Sequence, residues 1–372
     1  MRRLLPLLCG LLLAACGQRA ARPIGDFTLP VYTPRYASGF EITGAAGSRS
    51  TLVTVHNPWY GDEVTDQYLF IARDGEPAPA GFEGQVLRDE ARRVVCMSGS
   101  YIAMLDALGA ADRVVGVSGA QYLINETLRR RIARGEAADV GFDSNVDFER
   151  LMALRPDLVM LFGIGGADTA LTGKLRELGI PYLYMGEHCE ESPLGKSEWV
   201  VVAAEIAGLR TEGSRLFAAI PERYERLRAL AQQTAARPRV MLNTPYRDTW
   251  FMPTRNSYMV RLLEDAGARY VFEENTATQT LPIDIEQAYY LTSKSDFWLN
   301  VSGCNTLDEV RRQNPRLADT PPVREGRVYD NNRRRNAAGG SDFWESGVLR
   351  PDRVLADLVH IFHPELSETD EL

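Results

Sequence analysis

The sequence predicts an α/β protein with two Rossmann-like lobes, a long helical linker between them and an extra β-rich N-terminal segment. Three observations lead to this fold class. Short apolar runs alternate with helical patterns over residues 93–194, one amphipathic stretch covers residues 195–236, and a second alternating run covers residues 237–366. Strands and helices that alternate in this way indicate mostly parallel sheets. The length of 372 residues also fits two domains, at roughly 150 residues per domain.

The first alternating run predicts a lobe that begins with a short apolar strand and a helix closed by Gly109. The next strand-helix unit ends at Arg155-Pro156, because proline disfavours helical backbone in the residue before it. The predicted strands are residues 93–97, 114–117, 157–162 and 181–185, and the predicted helices are residues 101–108, 149–154 and 171–178.

The linker prediction depends on Trp199, Val202, Ile206 and Leu209, which recur at helical spacing, with a break at Gly208 and Gly213. The second lobe repeats the α/β alternation. Its predicted strands are residues 239–243, 270–272 and 297–301, and its predicted helices are residues 258–266, 285–291 and 353–362. The β-rich segment has strand-like composition at residues 51–55 and 67–71.

The first sixteen residues have the pattern of an export signal. Two arginines precede an apolar run too short for a permanent membrane span, and small residues close it. Leu13-Ala14-Ala15-Cys16 resembles the lipobox of bacterial lipoproteins. The resemblance implies cleavage before Cys16 and lipid attachment to it; the alternative is an ordinary cleaved signal followed by a chance cysteine.

These patterns divide the chain into seven predicted segments. They are a signal peptide at 1–15, a lipid-anchored tether at 16–39, the β-rich extension at 40–92, the first lobe at 93–194, the linker at 195–236, the second lobe at 237–366 and a solvated acidic tail at 367–372.

Composition excludes some classes of function. The net charge of -8 argues against a nucleic-acid partner, which requires a basic surface. Beyond the signal region the cysteines are Cys96, Cys189 and Cys304. Three cysteines cannot all pair, so disulfides do not organise the fold, although one bridge remains open.

Several segments resemble the type III periplasmic binding proteins, which serve ABC importers for ferric siderophores, haem and cobalamin. The segments that carry the resemblance are residues 105–109 with 113–118, 148–159, 178–181, 193–199 and 347–352. The resemblance implies a substrate-binding lipoprotein on the periplasmic face, with the inner membrane favoured. Its expected partners are an ABC permease and the permease's ATPase, a small-molecule metal chelate, and a membrane reached through the lipid anchor.

The resemblance also implies two permease-docking residues, Glu149 and Glu286, one in each lobe. Each opens a predicted helix within a faint internal repeat, in which residues 145–151 correspond to residues 282–288. A carboxylate in a first helical turn is also favoured by the helix dipole alone, which is the structural alternative.

Three stretches are candidates for the ligand site, since ligands of such sheets bind at strand ends. Arginines suit anionic oxygens and aromatic rings suit large chelates. The alternatives are helix capping, core packing and a solvated charge run. The candidates are Ser100 and Tyr101 after the first strand of lobe one; Trp250, Arg255 and Tyr258 after the first strand of lobe two; and Arg333, Arg334, Arg335 and Trp344 near the C-terminal end.

A preformed chelate is favoured over a bare metal ion, because only four histidines are present. Glu187 and His188 are weak metal candidates. Ferric siderophore is the first choice of ligand, with cobalamin or haem as alternatives, and no cofactor is expected. A surface-exposed scavenging lipoprotein without a permease is the remaining alternative within this fold.

Enzyme activity is not expected. The glycines at residues 163–166 lack the third glycine of the dinucleotide-binding pattern, and no nucleophile or acid-base motif is present.

Overall fold

The computed structural model describes residues 21–59, 65–163, 169–247, 249–277 and 279–368. The predicted signal peptide, Cys16 and the last four residues lie outside this part of the chain. Within it, no helix is long and apolar enough to cross a membrane.

The first of the sheets is a five-stranded N-terminal sheet. Its strands are β1 (Leu29–Tyr32), β2 (Phe40–Gly44), β3 (Thr51–His56), β4 (Asp66–Ala72) and β5 (Gln85–Arg88), in that spatial order. Neighbouring strands are antiparallel except for β4 and β5, which are parallel.

The prediction of a tether through residue 39 is wrong for its second half. Phe27 is buried, and β1 pairs with β2 as part of the sheet. The chain from Tyr32 onwards is held by two buried carboxylates. Glu198 accepts hydrogen bonds from the hydroxyl of Tyr32 and from three backbone N–H groups of residues 35–37, and Glu190 accepts from the backbone of residues 38 and 39. These bonds satisfy donors that would be costly to bury unpaired.

The first lobe is a fully parallel five-stranded sheet. Its strands are β6 (Val94–Cys96), β7 (Val114–Val117), β8 (Ala138–Asp139), β9 (Leu158–Phe162) and β10 (Tyr182–Met185), in the order β10-β9-β6-β7-β8. Its helices are α1 (Gly99–Ala107), α2 (Glu126–Ala133), α3 (Phe148–Leu154) and α4 (Ala170–Leu178). Every residue of β6, β7 and β10 is buried, as expected for strands covered on both faces.

Three helices follow the first lobe: α5 (Pro193–Glu198), α6 (Val200–Ile206) and α7 (Arg210–Gln232). The predicted break at Gly208 is present, whereas Gly213 lies inside α7, where it packs against the Ala204 side chain. A Cβ on Gly213 would lie 2.3 Å from the Cβ of Ala204, so glycine serves close helix packing there. The 23 residues of α7 span about 34 Å.

The second lobe contains a four-stranded parallel sheet and a two-stranded antiparallel pair. The sheet has the order β13 (Arg269–Tyr270), β11 (Arg239–Leu242), β15 (Phe297–Leu299) and β16 (Val328–Tyr329); the pair is β12 (Trp250–Met252) with β14 (Leu281–Ile283). The helices are α8 (Tyr258–Asp265), α9 (Ile285–Ser293), α10 (Leu307–Gln313), α11 (Pro321–Arg324), α12 (Ser346–Leu349) and α13 (Pro351–Phe362). The α/β class with two lobes and a β-rich N-terminal segment is therefore confirmed.

Candidate ligand-binding cleft

The loops that follow the parallel strands of the two lobes meet each other. In open α/β sheets, ligands bind beyond the carboxyl ends of the strands. Here the loop after β7 in the first lobe contacts the segment after β16 in the second lobe. We call residues 330–345 the bridging loop. The meeting of these loops defines the candidate cleft.

Glu345 makes the main polar contact of the bridging loop with the first lobe. Its carboxylate accepts hydrogen bonds from the backbone N–H groups of Ile124, at 2.6 Å, and Asn125, at 2.8 Å. Burial raises the pKa of the Glu345 carboxyl above its ordinary value, although the two N–H donors oppose the shift. The same side chain packs on Gly99, where an added Cβ would lie 2.6 Å from the Glu345 Cγ.

Two further residues of the bridging loop fit closely against the first lobe. The Asn336 side-chain amide donates to the carbonyl oxygens of Gln121 and Leu123 at 2.9 and 3.2 Å. A Cβ on Gly340 would lie 1.7 Å from the carbonyl oxygen of Tyr122, so only glycine allows this approach. The cleft in this conformation is thus closed on one side by the protein's own backbone.

The three predicted arginines are exposed on this loop. Arg334 forms an ion pair with Asp342 at 2.8 Å. The guanidinium groups of Arg333 and Arg335 form no hydrogen bond or salt bridge with any residue that the structure describes. Each still interacts electrostatically with one carboxylate: burial raises the pKa of Asp357 and of Asp330, and Arg333 and Arg335 respectively oppose that rise. The loop therefore carries one guanidinium group that Asp342 neutralises, that of Arg334. Those of Arg333 and Arg335 form no salt bridge among the described residues.

Trp344, also on the bridging loop, is 59% exposed. Its ring packs edge-on against Phe343, with centroids 4.7 Å apart. The ring of Phe343 in turn packs edge-on against that of Tyr258 in α8, with centroids 6.5 Å apart. A large exposed aromatic ring on the same loop as Arg333 and Arg335 can contact a flat or aromatic ligand.

Tyr258 lies deeper, where α8 packs against α5. Its hydroxyl is buried and has no hydrogen-bond partner among the described residues, and the ammonium of Lys196 lies 4.9 Å from the centre of its ring. Burial lowers the pKa of Lys196, an effect that Glu187 opposes. Arg255, predicted with Tyr258, is exposed and donates to the carbonyl oxygen of Glu273 at 3.1 Å.

The predictions that Trp250 and Tyr101 contact the ligand are wrong in this structure, because both side chains are in the core. Trp250 is 1% exposed, its indole N–H donates to the carbonyl oxygen of Leu242, and its ring packs on Trp298. Tyr101 is fully buried and donates to the carbonyl oxygen of Leu161 at 3.2 Å.

Ser100 is also buried, and it positions a carboxylate. Its hydroxyl donates to Glu187 Oε1 at 2.8 Å. The prediction that the start of α1 faces an anionic ligand is not met here, because the carboxylates of Glu187 and Glu345 occupy that end of the helix. Carboxylates are favoured there by the helix dipole.

Glu187 and His188, the weak metal candidates, pair with each other. Glu187 Oε2 lies 3.9 Å from His188 Nδ1, and His188 Nε2 lies 2.8 Å from the carbonyl oxygen of Gly163. Burial lowers the pKa of His188, but the neighbouring polar and charged groups of Cys189 and Glu187 outweigh burial and raise the pKa to about 9. No group of three or more His, Cys, Asp and Glu side chains suited to a metal ion occurs in the described ranges.

Two exposed tyrosines at strand ends were missed. Tyr122 follows β7, is 43% exposed, and lies 6.2 Å from the ring of Phe142. Tyr246 follows β11 and is 67% exposed, with the Arg247 guanidinium 5.4 Å from its ring centre. Their position in the loops that follow parallel strands is the signal in the sequence that could have found them.

Glu149 and Glu286 occupy equivalent positions on α3 and α9. Each is exposed in the first turn, one residue after the start of its helix. The N-cap residues Asp147 and Asp284 accept from the backbone N–H three residues further on, at 2.9 and 2.8 Å. Glu286 also pairs with Arg316 at 3.2 Å on the surface.

Comparison with known proteins identifies the family. The family model described as "Periplasmic binding protein" matches residues 94–333, which is more than half of the chain. The chain is a type III periplasmic binding protein. Its family serves ABC transporters as substrate-binding proteins.

Two curated relatives are uncharacterised lipoproteins of Methanocaldococcus jannaschii. One is 25% identical over 332 residues, covering 83% of this chain and 77% of the relative. The other is 22% identical over 323 residues, covering 83% and 79%.

Solved structures of similar fold include a periplasmic haem-binding protein from Roseiflexus sp. RS-1, at 20% identity and a TM-score of 0.57, covering 74% of this chain and 98% of that one. A periplasmic haem-binding protein from Pseudomonas aeruginosa is 21% identical with a TM-score of 0.56, covering 74% and 93%. A protein of an ABC-type Fe3+-hydroxamate transport system from Saccharomonospora viridis is 17% identical with a TM-score of 0.54, covering 74% and 94%. At these identities the likeness establishes the fold alone.

Proposed function

We propose that this protein is the lipid-anchored substrate-binding component of an ABC importer, and that it captures an anionic metal chelate, a ferric siderophore first. The observation that carries the proposal is the bridging loop. It leaves the carboxyl end of β16, contacts the first lobe through Glu345 and Asn336, and exposes Arg333, Arg335 and Trp344. Two guanidinium groups on one loop suit the oxygens of catecholate or hydroxamate groups.

Anchoring through Cys16 is part of the proposal. The lipobox-like Leu13-Ala14-Ala15-Cys16 supports it, and the two archaeal relatives are named lipoproteins. Acyl chains on Cys16 would hold the protein at the periplasmic face of the inner membrane, within reach of a permease.

Docking to the permease through Glu149 and Glu286 is also proposed. Both carboxylates are exposed, and each has a large exposed apolar side chain three residues later, on the same helix face. These are Met152, which is 45% exposed, and Tyr289, which is 48% exposed. A cationic partner surface with an apolar pocket beside each cation fits this arrangement.

Haem is the second candidate ligand, favoured by Tyr122 and Tyr246. Both are exposed tyrosines beyond strand ends, one in each lobe, and a tyrosine can serve as an axial ligand of haem iron. Two of the similar structures are described as haem-binding proteins.

A fluorescence titration of the full chain in non-ionic detergent tests the proposal. The panel is ferric catecholate and hydroxamate siderophores, haemin and cyanocobalamin, with absorbance corrections. Saturable quenching by a siderophore, with a smaller amplitude in Trp344→Phe, supports the first candidate. Quenching by haemin that weakens in Tyr122→Phe or Tyr246→Phe supports the second. A folded protein that responds to no member of the panel contradicts the metal-chelate assignment.

A further inference from the structure

A groove in the second lobe combines four basic side chains in an acidic protein. The groove, of about 540 Å³, lies between the edge strand β13 and α9. Arg237, Arg239, Arg269 and Lys294 line it, with Glu273 and Glu274. Arg239 and Arg269 begin β11 and β13, at the opposite strand ends from the candidate cleft. The groove is therefore separate from the proposed chelate site.

Arg239 and Arg269 face each other across two parallel strands. They are direct partners in the register of β11 and β13. Neighbouring strands are about 5 Å apart, so partner side chains project from the same face at close range. Like charges at such positions destabilise a sheet.

No ion pair among the described residues neutralises the pair, although two glutamates line the groove and the carboxylate of Asp296 accepts a hydrogen bond from the backbone N–H of Arg239 at 2.7 Å. Neither guanidinium group forms a hydrogen bond or ion pair with any residue in the described part of the chain, and the two glutamates of the groove form no ion pair with them. Arg237 is different, because its guanidinium donates to carbonyl oxygens at the end of α7, including Gln232 O at 2.8 Å. Lys294 lies 4.1 Å from the ring centre of Tyr290 and donates to its hydroxyl.

We propose that this groove is an anion site that takes a phosphate group between Arg239 and Arg269, with Lys294 as a third cation. A guanidinium group can donate two parallel hydrogen bonds to a phosphate group. The attraction of a bound dianion to both arginines outweighs their mutual repulsion. The phosphate can belong to a soluble ion or to the headgroup of a membrane phospholipid. The inference does not rest on the proposed function.

Thermal unfolding of the full chain in non-ionic detergent tests the site. Inorganic phosphate is titrated against chloride at matched ionic strength, and mixed micelles with an anionic or a zwitterionic phospholipid form the second arm. The test variant is Arg239→Gln/Arg269→Gln. The matched control is Arg129→Gln/Arg130→Gln, which removes the same charge from two exposed arginines of α2.

We expect phosphate to raise the melting temperature of the wild type and the control saturably, by roughly 4 °C at about 100 times Kd. The test variant should lose this rise, and without phosphate it should melt no lower than the wild type, since it lacks the repulsion. Lys294→Gln, which changes no strand residue, should weaken the response and serves if the double variant misfolds. A rise only with the anionic lipid assigns the site to headgroups. An equal rise in all variants, or no rise in either arm, overturns the proposal.

Discussion

The two lobes present their polar residues differently at the candidate cleft. In the first lobe, Ser100 and Glu187 are buried and bonded to each other. In the second lobe, Arg333, Arg335 and Trp344 are exposed on one loop. The difference teaches that these polar groups of the first lobe are already bonded within the protein, whereas those of the second lobe are accessible to a ligand. Four predictions break or sharpen this contrast.

The largest effect should come from the unpaired arginines. Arg333→Gln/Arg335→Gln removes two charge-assisted hydrogen bonds, each worth about 1.5–3 kcal/mol, so ligand affinity should fall about 100-fold or more. Isothermal titration calorimetry, with the ligand that the quenching experiment identifies, measures Kd for the wild type and the double variant.

Arg334→Gln is the matched control on the same loop. Its guanidinium is already paired with Asp342, so its removal should change affinity several-fold at most. A loss from Arg334→Gln as large as the loss from the double variant would show that the ion pair with Asp342 does not set Arg334 apart, and the assignment of binding to Arg333 and Arg335 would fail.

The polar groups around His188 in the first lobe should make the stability of the protein depend on pH. The pKa of His188 is raised from 6.5 to about 9, so its stabilising contribution is complete below about pH 6.5 and is lost as pH rises through 9. This contribution to the free energy of unfolding is at most about 3 kcal/mol. Urea unfolding at pH 6, 7.5 and 9 measures the decline.

His188→Gln should remove most of this pH dependence. His56→Gln, at a surface pair with Asp66, should leave the decline as it is in the wild type. If the free energy of unfolding of the wild type is unchanged between pH 6 and 9, Glu187 and Cys189 do not hold His188 in its charged form.

Docking should depend on both lobes equally, unlike ligand binding. Glu149→Ala and Glu286→Ala should each lower uptake, and together they should lower it about tenfold, while Kd for the ligand stays constant. Glu126→Ala is the control, since Glu126 is an exposed carboxylate in the first turn of α2. Uptake that is unchanged in the double variant contradicts the docking assignment.

The smallest effect is expected for the apolar residues beside the docking carboxylates. Met152→Ala and Tyr289→Ala should each reduce uptake two- to threefold, because each removes partly exposed apolar area. Tyr290→Ala, next to Tyr289 and 54% exposed, is the control on an adjacent helix face. A larger loss of uptake in Tyr290→Ala would indicate that the permease contacts the helix face that lines the basic groove instead.

Much of the fold was predictable because the local signals were strong. The apolar runs at 114–117 and 181–185 coincide with β7 and β10 to within one residue, and the Arg155-Pro156 stop coincides with the end of α3. The strands β8 and β16 were not predicted, because two residues each are too few for a periodic pattern. β1 was missed because its four residues are half exposed and depend on β2 for their pairing.

By itself, the sequence determined the alternating α/β class, the helical linker and the family, since these depend on periodic burial and on ordered motifs along the chain. Only the tertiary structure decided which candidates are accessible to a ligand. Trp250 and Arg333 are both plausible in sequence, yet one is bonded within the core and the other is exposed. The contact of Glu345 with residues 124 and 125 joins positions more than two hundred residues apart, and no local pattern records such a contact.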